Sequence, residues 1–193
     1  MNEETNFKSG FVAIAGRPNC GKSTLLNALS GMRLAIVSPK PQTTRQNIKL
    51  ILNDENYQII FTDTPGMHNP KNKLGKRMIE SVNLALKDSD VIVLMIDATK
   101  PDITSVETGC CDFAREKQKK IILLINKIDL ILKENILPII ALYTDKFQFD
   151  AILPVSVKKS DGLDLLKKEI IKLLPTGPRY YPEDSFTDQT ERF

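Results

Sequence analysis

The chain has 193 residues, 41% apolar and 26% charged, with a formal net charge of +3, which suits one folded domain with length to spare and excludes global disorder. The mild positive excess does not by itself argue for nucleic acid, and the three cysteines, Cys20, Cys110 and Cys111, form neither an even disulfide set nor a metal-ligand spacing. They fit a reducing cytoplasm; the polar, acidic start at residues 1–5 lacks signal-peptide features, and no apolar run approaches the roughly 20 residues of a membrane span.

Residues 11–15 form a short apolar run ending at Gly16, and residues 22–29 follow with Leu25, Leu26 and Leu29 at helical spacing, so the chain opens strand, loop, helix. Two strand-like runs, 48–52 and 57–61, flank the polar Asn53-Asp54-Glu55-Asn56 and predict a hairpin. Ile79, Val82 and Leu86 mark a helix face, residues 91–96 a buried strand, 105–117 a helix and 121–125 another buried strand. Residues 134–143 read as a helix interrupted by Pro138, 151–157 as the last strand, and Leu163, Leu166, Ile170 and Leu173 as one face of a final helix.

Pro175, Pro178 and Pro182 then mark a stiff linker, and Asp188 with Glu191 starts a helix that reaches Phe193 before an apolar face can form. The chain therefore reads as a fragment that leads on to a further domain. Strands alternating with helices predict a three-layer α/β domain, with a mostly parallel six-stranded sheet and one antiparallel strand. In such sheets ligands bind beyond the carboxyl ends of the strands, which places the loops at Gly16, Asp63, Asp97, Asn126 and Ser156 on one rim.

Gly16-Arg17-Pro18-Asn19-Cys20-Gly21-Lys22-Ser23 matches G-x-x-x-x-G-K-S between a predicted strand and a predicted helix. Its glycines let backbone N–H groups wrap a phosphate chain at a helix N-terminus, Lys22 adds a point charge, and Ser23 Oγ is an Mg²⁺ ligand, with Thr24 beside it. Asp63-Thr64-Pro65-Gly66 ends the third strand with a carboxylate for the magnesium shell and a glycine whose N–H can face a γ-phosphate. In the loop Gln42-Thr43-Thr44-Arg45, Thr44, with Thr43 as its rival, is the residue expected to reach Mg²⁺ only when a γ-phosphate is bound.

Asn126-Lys127-Ile128-Asp129 decides the base. A carboxylate at Asp129 accepts from guanine N1 and N2, whereas adenine would leave buried polar groups unpaired. Asn126 is expected to tie this loop to the P-loop or to the base edge, the Lys127 stem to pack along the base, and the stretch through Ser156 and Val157 to offer a backbone N–H to guanine O6.

The ordered set GRPNCGKS, QTTR, DTPG, NKID and SVKKSDG resembles the translation-factor-like GTPases, and PKPQTTRQNI, DTPGMHNPKNKLGKRM and GPRYYPEDSFTDQTERF resemble the Era family within them. That resemblance implies a three-layer P-loop NTPase (Ras-like) fold and a GTP-hydrolysing enzyme of small-ribosomal-subunit assembly and rRNA maturation, with residues 1–174 as an Era-type G domain and 175–193 as a linker to a KH domain that binds rRNA. It also implies a cytoplasmic protein with some peripheral association with the inner face of the membrane, and the chain is expected to be monomeric. Met67 stands where Ras-like enzymes carry the glutamine that orients water, and similarity to GTPases that use a monovalent cation places Asn19 beside K⁺. Slow, K⁺-stimulated hydrolysis is the resulting expectation, with Asn19, Lys22, Thr44, Asp63 and Gly66 as the catalytic set. Val157 departs from the alanine usual there, and the lone His68 lacks a sequence partner that would make it a base. An ATP-using P-loop enzyme is disfavoured by Asn126 and Asp129. A nucleotide-regulated ribosome or RNA docking module with negligible hydrolysis is the alternative, although no aromatic-basic platform is visible and direct RNA binding by these residues is expected to be weak.

Overall fold

In the computed structural model, residues 7–31, 48–62 and 86–182 are described. The strands are β1 (Lys8–Ala15), β2 (Ile48–Asn53), β3 (Tyr57–Thr62), β4 (Val91–Asp97), β5 (Lys120–Asn126) and β6 (Ala151–Pro154); the helices are α1 (Lys22–Gly31), α2 (Ser105–Glu116), α3 (Ile136–Thr144) and α4 (Leu163–Leu173). The strands form one six-stranded sheet in the order β2-β3-β1-β4-β5-β6. Only β2 runs antiparallel, joined to β3 by the turn in which Asp54 N–H donates to Tyr57 O at 2.9 Å.

The strands with near-continuous apolar runs are those buried on both faces, as parallel strands between helical layers must be. On β4, Val91, Val93 and Met95 join Leu25 and Leu29 of α1 and Leu166 and Ile170 of α4 in one cluster. Ile92, Leu94 and Ile96 point the other way, into a cluster with Phe113 of α2 and Ile139 and Tyr143 of α3. The registers Val12↔Val91, Ile96↔Ile125 and Asp97↔Asn126 bring the strand ends to a common rim. The expected three-layer α/β architecture is the one observed.

Three local readings change. Strand β1 begins at Lys8 rather than at residue 11, because Ser9, fully buried, is satisfied at long range by donating to Pro178 O at 2.7 Å. Strand β6 ends at Pro154 rather than at residue 157. Val155 N–H still bonds Ile125 O at 2.8 Å, but Val157 N–H turns to the Asn126 side chain and the chain enters a 3₁₀ turn at Val157–Lys159. Pro138 does not interrupt a helix: α3 starts at Ile136, so Pro138 lies in its first turn, where no backbone N–H has an intrahelical partner to lose. The helix face marked by Ile79 and Val82 lies outside the described residues, while Leu86 is fully buried.

The segment read as a stiff linker is strapped to the sheet through residue 181. Thr176 bridges to Lys8, and Gly177 N–H donates to Phe7 O at 3.1 Å. Buried Gln58 of β3 accepts Tyr180 N–H at 2.8 Å and Tyr181 N–H at 3.0 Å on Oε1, and donates from Nε2 to Tyr181 O at 2.9 Å and to Asn53 Oδ1 at 2.6 Å. The Tyr180 ring packs on Phe11 with centroids 5.0 Å apart. Proline stiffness set the backbone, but a buried glutamine gives it an address.

Candidate functional site

The loop after β1 needs backbone shapes that few residues tolerate. Gly16 has φ +145°, and a Cβ there would lie 2.2 Å from Met95 O; Gly21 has φ +113°, and a Cβ there would meet Asn126 Nδ2 at 2.4 Å. Asn19 between them adopts a left-handed φ of 64°, which asparagine accepts more readily than most residues. These turns bring the chain to the N-terminus of α1, whose first turn carries no acidic residue to compete with an anion. Lys22 Nζ folds back and donates to Gly16 O and Arg17 O, each at 2.7 Å, so the ammonium is positioned by the loop it serves.

Three tethers hold the loop from outside. Asn126 Nδ2 donates to Cys20 O at 2.8 Å, while its Oδ1 accepts Val157 N–H at 3.1 Å, so one buried amide links the P-loop to the loop after β6. Lys127, itself left-handed at φ 67°, donates from Nζ to Asn19 O at 2.8 Å and pairs with Asp97 Oδ2 at 2.5 Å. Burial works to raise the Asp97 carboxyl, but the bonds from Lys127 and Thr99 outweigh it and hold it below the usual range. Arg17 points away from the cleft: its Nε pairs with Glu107 Oε1 at 3.0 Å and its guanidinium also donates to Lys100 O.

Asp129, the residue expected to read the base, is held as well. Ser156 Oγ donates to Asp129 Oδ1 at 2.7 Å, and this bond, first among the causes, keeps the carboxyl below its ordinary value. Asp129 is thus an acceptor with a fixed orientation. Ser156 N–H donates to Asp161 O at 3.1 Å and Val157 N–H to Asn126, so both amides expected to reach guanine O6 are already bonded within the protein.

A cleft of about 670 Å³ is lined by Pro18, Asn19, Gly21, Lys22, Ser23 and Thr24 on one side and by Asn126, Lys127, Asp129 and Val157 on the other, with Leu130 and Lys158 completing the wall. The structure therefore joins two motifs more than a hundred residues apart around one hollow. Gly16, Arg17 and Cys20 support the cleft from behind instead of lining it; Cys20 is 2% exposed, and burial pushes its thiol up against the opposing charge of Lys22. Cys110 and Cys111 are also buried and free, with Cys111 raised to about 12, chiefly by burial. These are packed thiols, not redox groups.

Thr43, Thr44, Asp63, Thr64, Pro65, Gly66, Met67 and His68 lie outside the described residues. Among the described residues no group of three His, Cys, Asp or Glu side chains could hold a metal. The donor set that is described, an exposed Ser23 hydroxyl next to Lys22 at an uncapped helix N-terminus, suits a metal carried on a phosphate chain better than a protein cage. Asp97, whose loop the strand order places on the rim without a role, and Glu107 are supporting residues that the motifs do not name. Thr104-x-x-Glu107 carries a capping-box signal, but nothing in it points to Arg17.

The profile of the 50S ribosome-binding GTPase family matches residues 11–127. The chain is 46% identical over 191 residues to a protein named GTPase Era from Clostridium botulinum strain Langeland, covering 97% of this chain and 63% of that protein. Among solved structures it is similar to a variant of Aquifex aeolicus Era bound to GDP·AlF4⁻, with TM-score 0.76, 42% identity, and coverage of 95% of this chain and 63% of the other. It is equally similar to Era in complex with MgGDPNP and nucleotides 1506–1542 of 16S ribosomal RNA, with TM-score 0.75, 42% identity and the same coverage. The chain thus spans about 63% of the length of these relatives. It belongs to the 50S ribosome-binding GTPase family.

Proposed function

We propose that this member of the 50S ribosome-binding GTPase family is a GTP-binding and GTP-hydrolysing switch that acts in small-subunit assembly and rRNA maturation. One observation carries the reading: a carboxylate oriented by Ser156 faces the same cleft as Lys22, Ser23 and the N-terminus of α1. Guanine presents two adjacent donors to Asp129, while adenine presents a lone pair and no 2-amino group, so the wrong base leaves polar atoms unpaired on both sides. The backbone N–H groups from Asn19 to Thr24 take the phosphates, and Lys22 neutralises charge that grows on the outer ones.

Ser23, with Thr44 and Asp63, is the proposed ligand set for Mg²⁺, which when bound supplies charge neutralisation at the phosphates. Gly66 is the proposed hinge of the loop that senses the γ-phosphate, with Thr64 and Pro65 leading to it. Asn19, whose side chain is free to face the cleft, is proposed to hold K⁺ and so to support slow hydrolysis in place of a water-orienting glutamine. Residues 1–174 act as the G domain, and 175–193 carry the chain toward the part of the longer relatives to which we assign most rRNA contact. The Era complexes with GDP·AlF4⁻ and with 16S rRNA support these assignments by likeness. A monomer in the cytoplasm, with peripheral contact at the inner face of the membrane, completes the reading; among the described residues no helix is long and apolar enough to cross one.

Nucleotide titration with GDP and ADP as competitors, followed by phosphate release in KCl and NaCl at matched ionic strength, tests it. Preference for GDP and faster release in KCl, lost in Asn19→Ala, are expected. Equal competition by ADP overturns the guanine reading, and equal rates in both salts overturn the K⁺ assignment. No phosphate release in either salt, even with RNA and the longer protein, favours the docking module.

A further inference from the structure

We propose that Glu107 is a positioning residue for the phosphate-binding loop, acting through Arg17, so that α2 helps to set how long a nucleotide stays bound. The inference rests on the nucleotide-binding reading of the cleft. Glu107 is fully buried, a place where a carboxylate persists only if it is paired and hydrogen-bonded. Its two oxygens do different jobs. Oε2 accepts Thr104 N–H at 2.8 Å and the Thr104 hydroxyl, which caps α2. A neutral glutamine would serve that cap equally well. Oε1 is buried, accepts no hydrogen bond among the described residues and faces Arg17 Nε as an ion pair at 3.0 Å, so it is the charge that serves Arg17.

Arg17 follows Gly16 directly and gives its own carbonyl to Lys22 Nζ at 2.7 Å, so its backbone is part of the frame that aims the ammonium. Its guanidinium is held from two sides, by Glu107 on α2 and by Lys100 O in the loop after β4. The other tethers, at Asn19 O and Cys20 O, come from Lys127 and Asn126, next to the base-reading Asp129. Besides Lys22 from within the motif, Arg17 is the tether among the described residues that fastens the first turn of the loop, and it fastens it to a different helix. Loosening that attachment lets the Gly16–Arg17 peptide drift and the Lys22 ammonium with it. By linkage, nucleotide that fixes the loop must in turn steady α2.

The test follows release of a fluorescent GDP analogue from the 193-residue chain on chase with excess GDP, for wild type, E107Q, R17M and R17M/E107Q, each below its own melting transition. E107Q and R17M are each expected to speed release about tenfold, with the double variant no faster than R17M. Release from E107Q at the wild-type rate, even with a lowered melting temperature, overturns the proposal, because it shows a structural role only. So does a double variant whose effect is the product of the two single ones. If E107Q does not fold, E107D, which keeps the charge on a shorter stem, is judged by the same criteria. A wild-type chain that does not bind the analogue overturns the nucleotide-binding reading instead.

Discussion

Replacing Asn126 should cost both stability and nucleotide affinity, and two variants separate the reasons. Its amide donates to Cys20 O at 2.8 Å and accepts from Val157 N–H at 3.1 Å, with Asn126 4% exposed, Cys20 2% and Val157 3%. In N126A two net bonds of about 1 kcal/mol are lost, and a carbonyl and an N–H are left without partners where water does not reach, for a total of about 3 to 5 kcal/mol. At roughly 2 to 4 °C per kcal/mol for a chain of this size, the melting temperature should fall by about 10 °C. N126D keeps the acceptor for Val157 N–H but sets an oxygen against Cys20 O and buries an unpaired charge, a loss of similar size at neutral pH. Burial raises the folded-state pKa of the introduced carboxyl above its unfolded value, so protonation restores a donor and the deficit against wild type should shrink as pH falls from about 7 to about 5. Thermal melts at several pH values, with GDP titrations at neutral pH, make the measurement. An N126A variant that melts and binds GDP like wild type, or an N126D deficit independent of pH, would refute the bridging role.

Gly21→Ala should destabilise by about 1 to 3 kcal/mol and abolish tight GDP binding, since φ is +113° and the new methyl would strike Asn126 Nδ2; calorimetry and titration check it. Asp129→Asn should weaken GDP at least about tenfold while improving xanthosine diphosphate relative to it, because xanthine offers an oxygen where guanine offers an amine; competition binding reads the ratio. Asp97 has a depressed folded-state pKa, so its contribution is present above the unfolded value of about 3.9 and is lost as pH falls through the folded value. Urea midpoints measured from pH 6 downward should therefore drop less steeply in D97N than in wild type. Gln58→Ala removes the clamp on Tyr180 and Tyr181, and amide exchange over residues 175–182 should speed up by about tenfold with little change at the P-loop.

Much of this was legible because it is local. Apolar runs between turn residues mark the strands, and the Gly-rich loop between strand and helix marks the loop that lines the cleft. The hidden parts depend on partners far apart in the chain. Asn126 could have faced the base or the P-loop, and only the fold, across 106 residues, gives it Cys20 O. Ser9 and Gln58 look like interruptions of apolar strands until residues 178–181, more than 120 positions on, supply their bonds. Proline-rich composition predicted a stiff segment between domains and could not show that its first half lies on the sheet. The end of β6 was misplaced because an apolar Val155 and Val157 continue the strand pattern, while the side chain that ends the ladder belongs to β5.

The same long-range bonds bear on how the site works. A phosphate loop free to open would have to be ordered by each nucleotide it binds, at a cost in affinity. Here its carbonyls at Cys20, Asn19 and Arg17 are each taken by a side chain or by Lys22, and the partners come from β5, the loop after β5 and α1, while Glu107 of α2 holds the Arg17 side chain. None of those partners comes from β2 or β3. Among the described residues, the proposed pocket for base and phosphate is therefore held by bonds from the β1, β4 and β5 side of the sheet, and none of those bonds involves a γ-phosphate. These residues are expected to act on GDP and GTP alike. A substitution there should change GDP and GTP binding together, whereas a residue that senses the γ-phosphate should change their ratio. Measuring both affinities for N126A and E107Q against Thr44→Ala draws the line: parallel losses are expected in the first two, and a loss confined to GTP in the third.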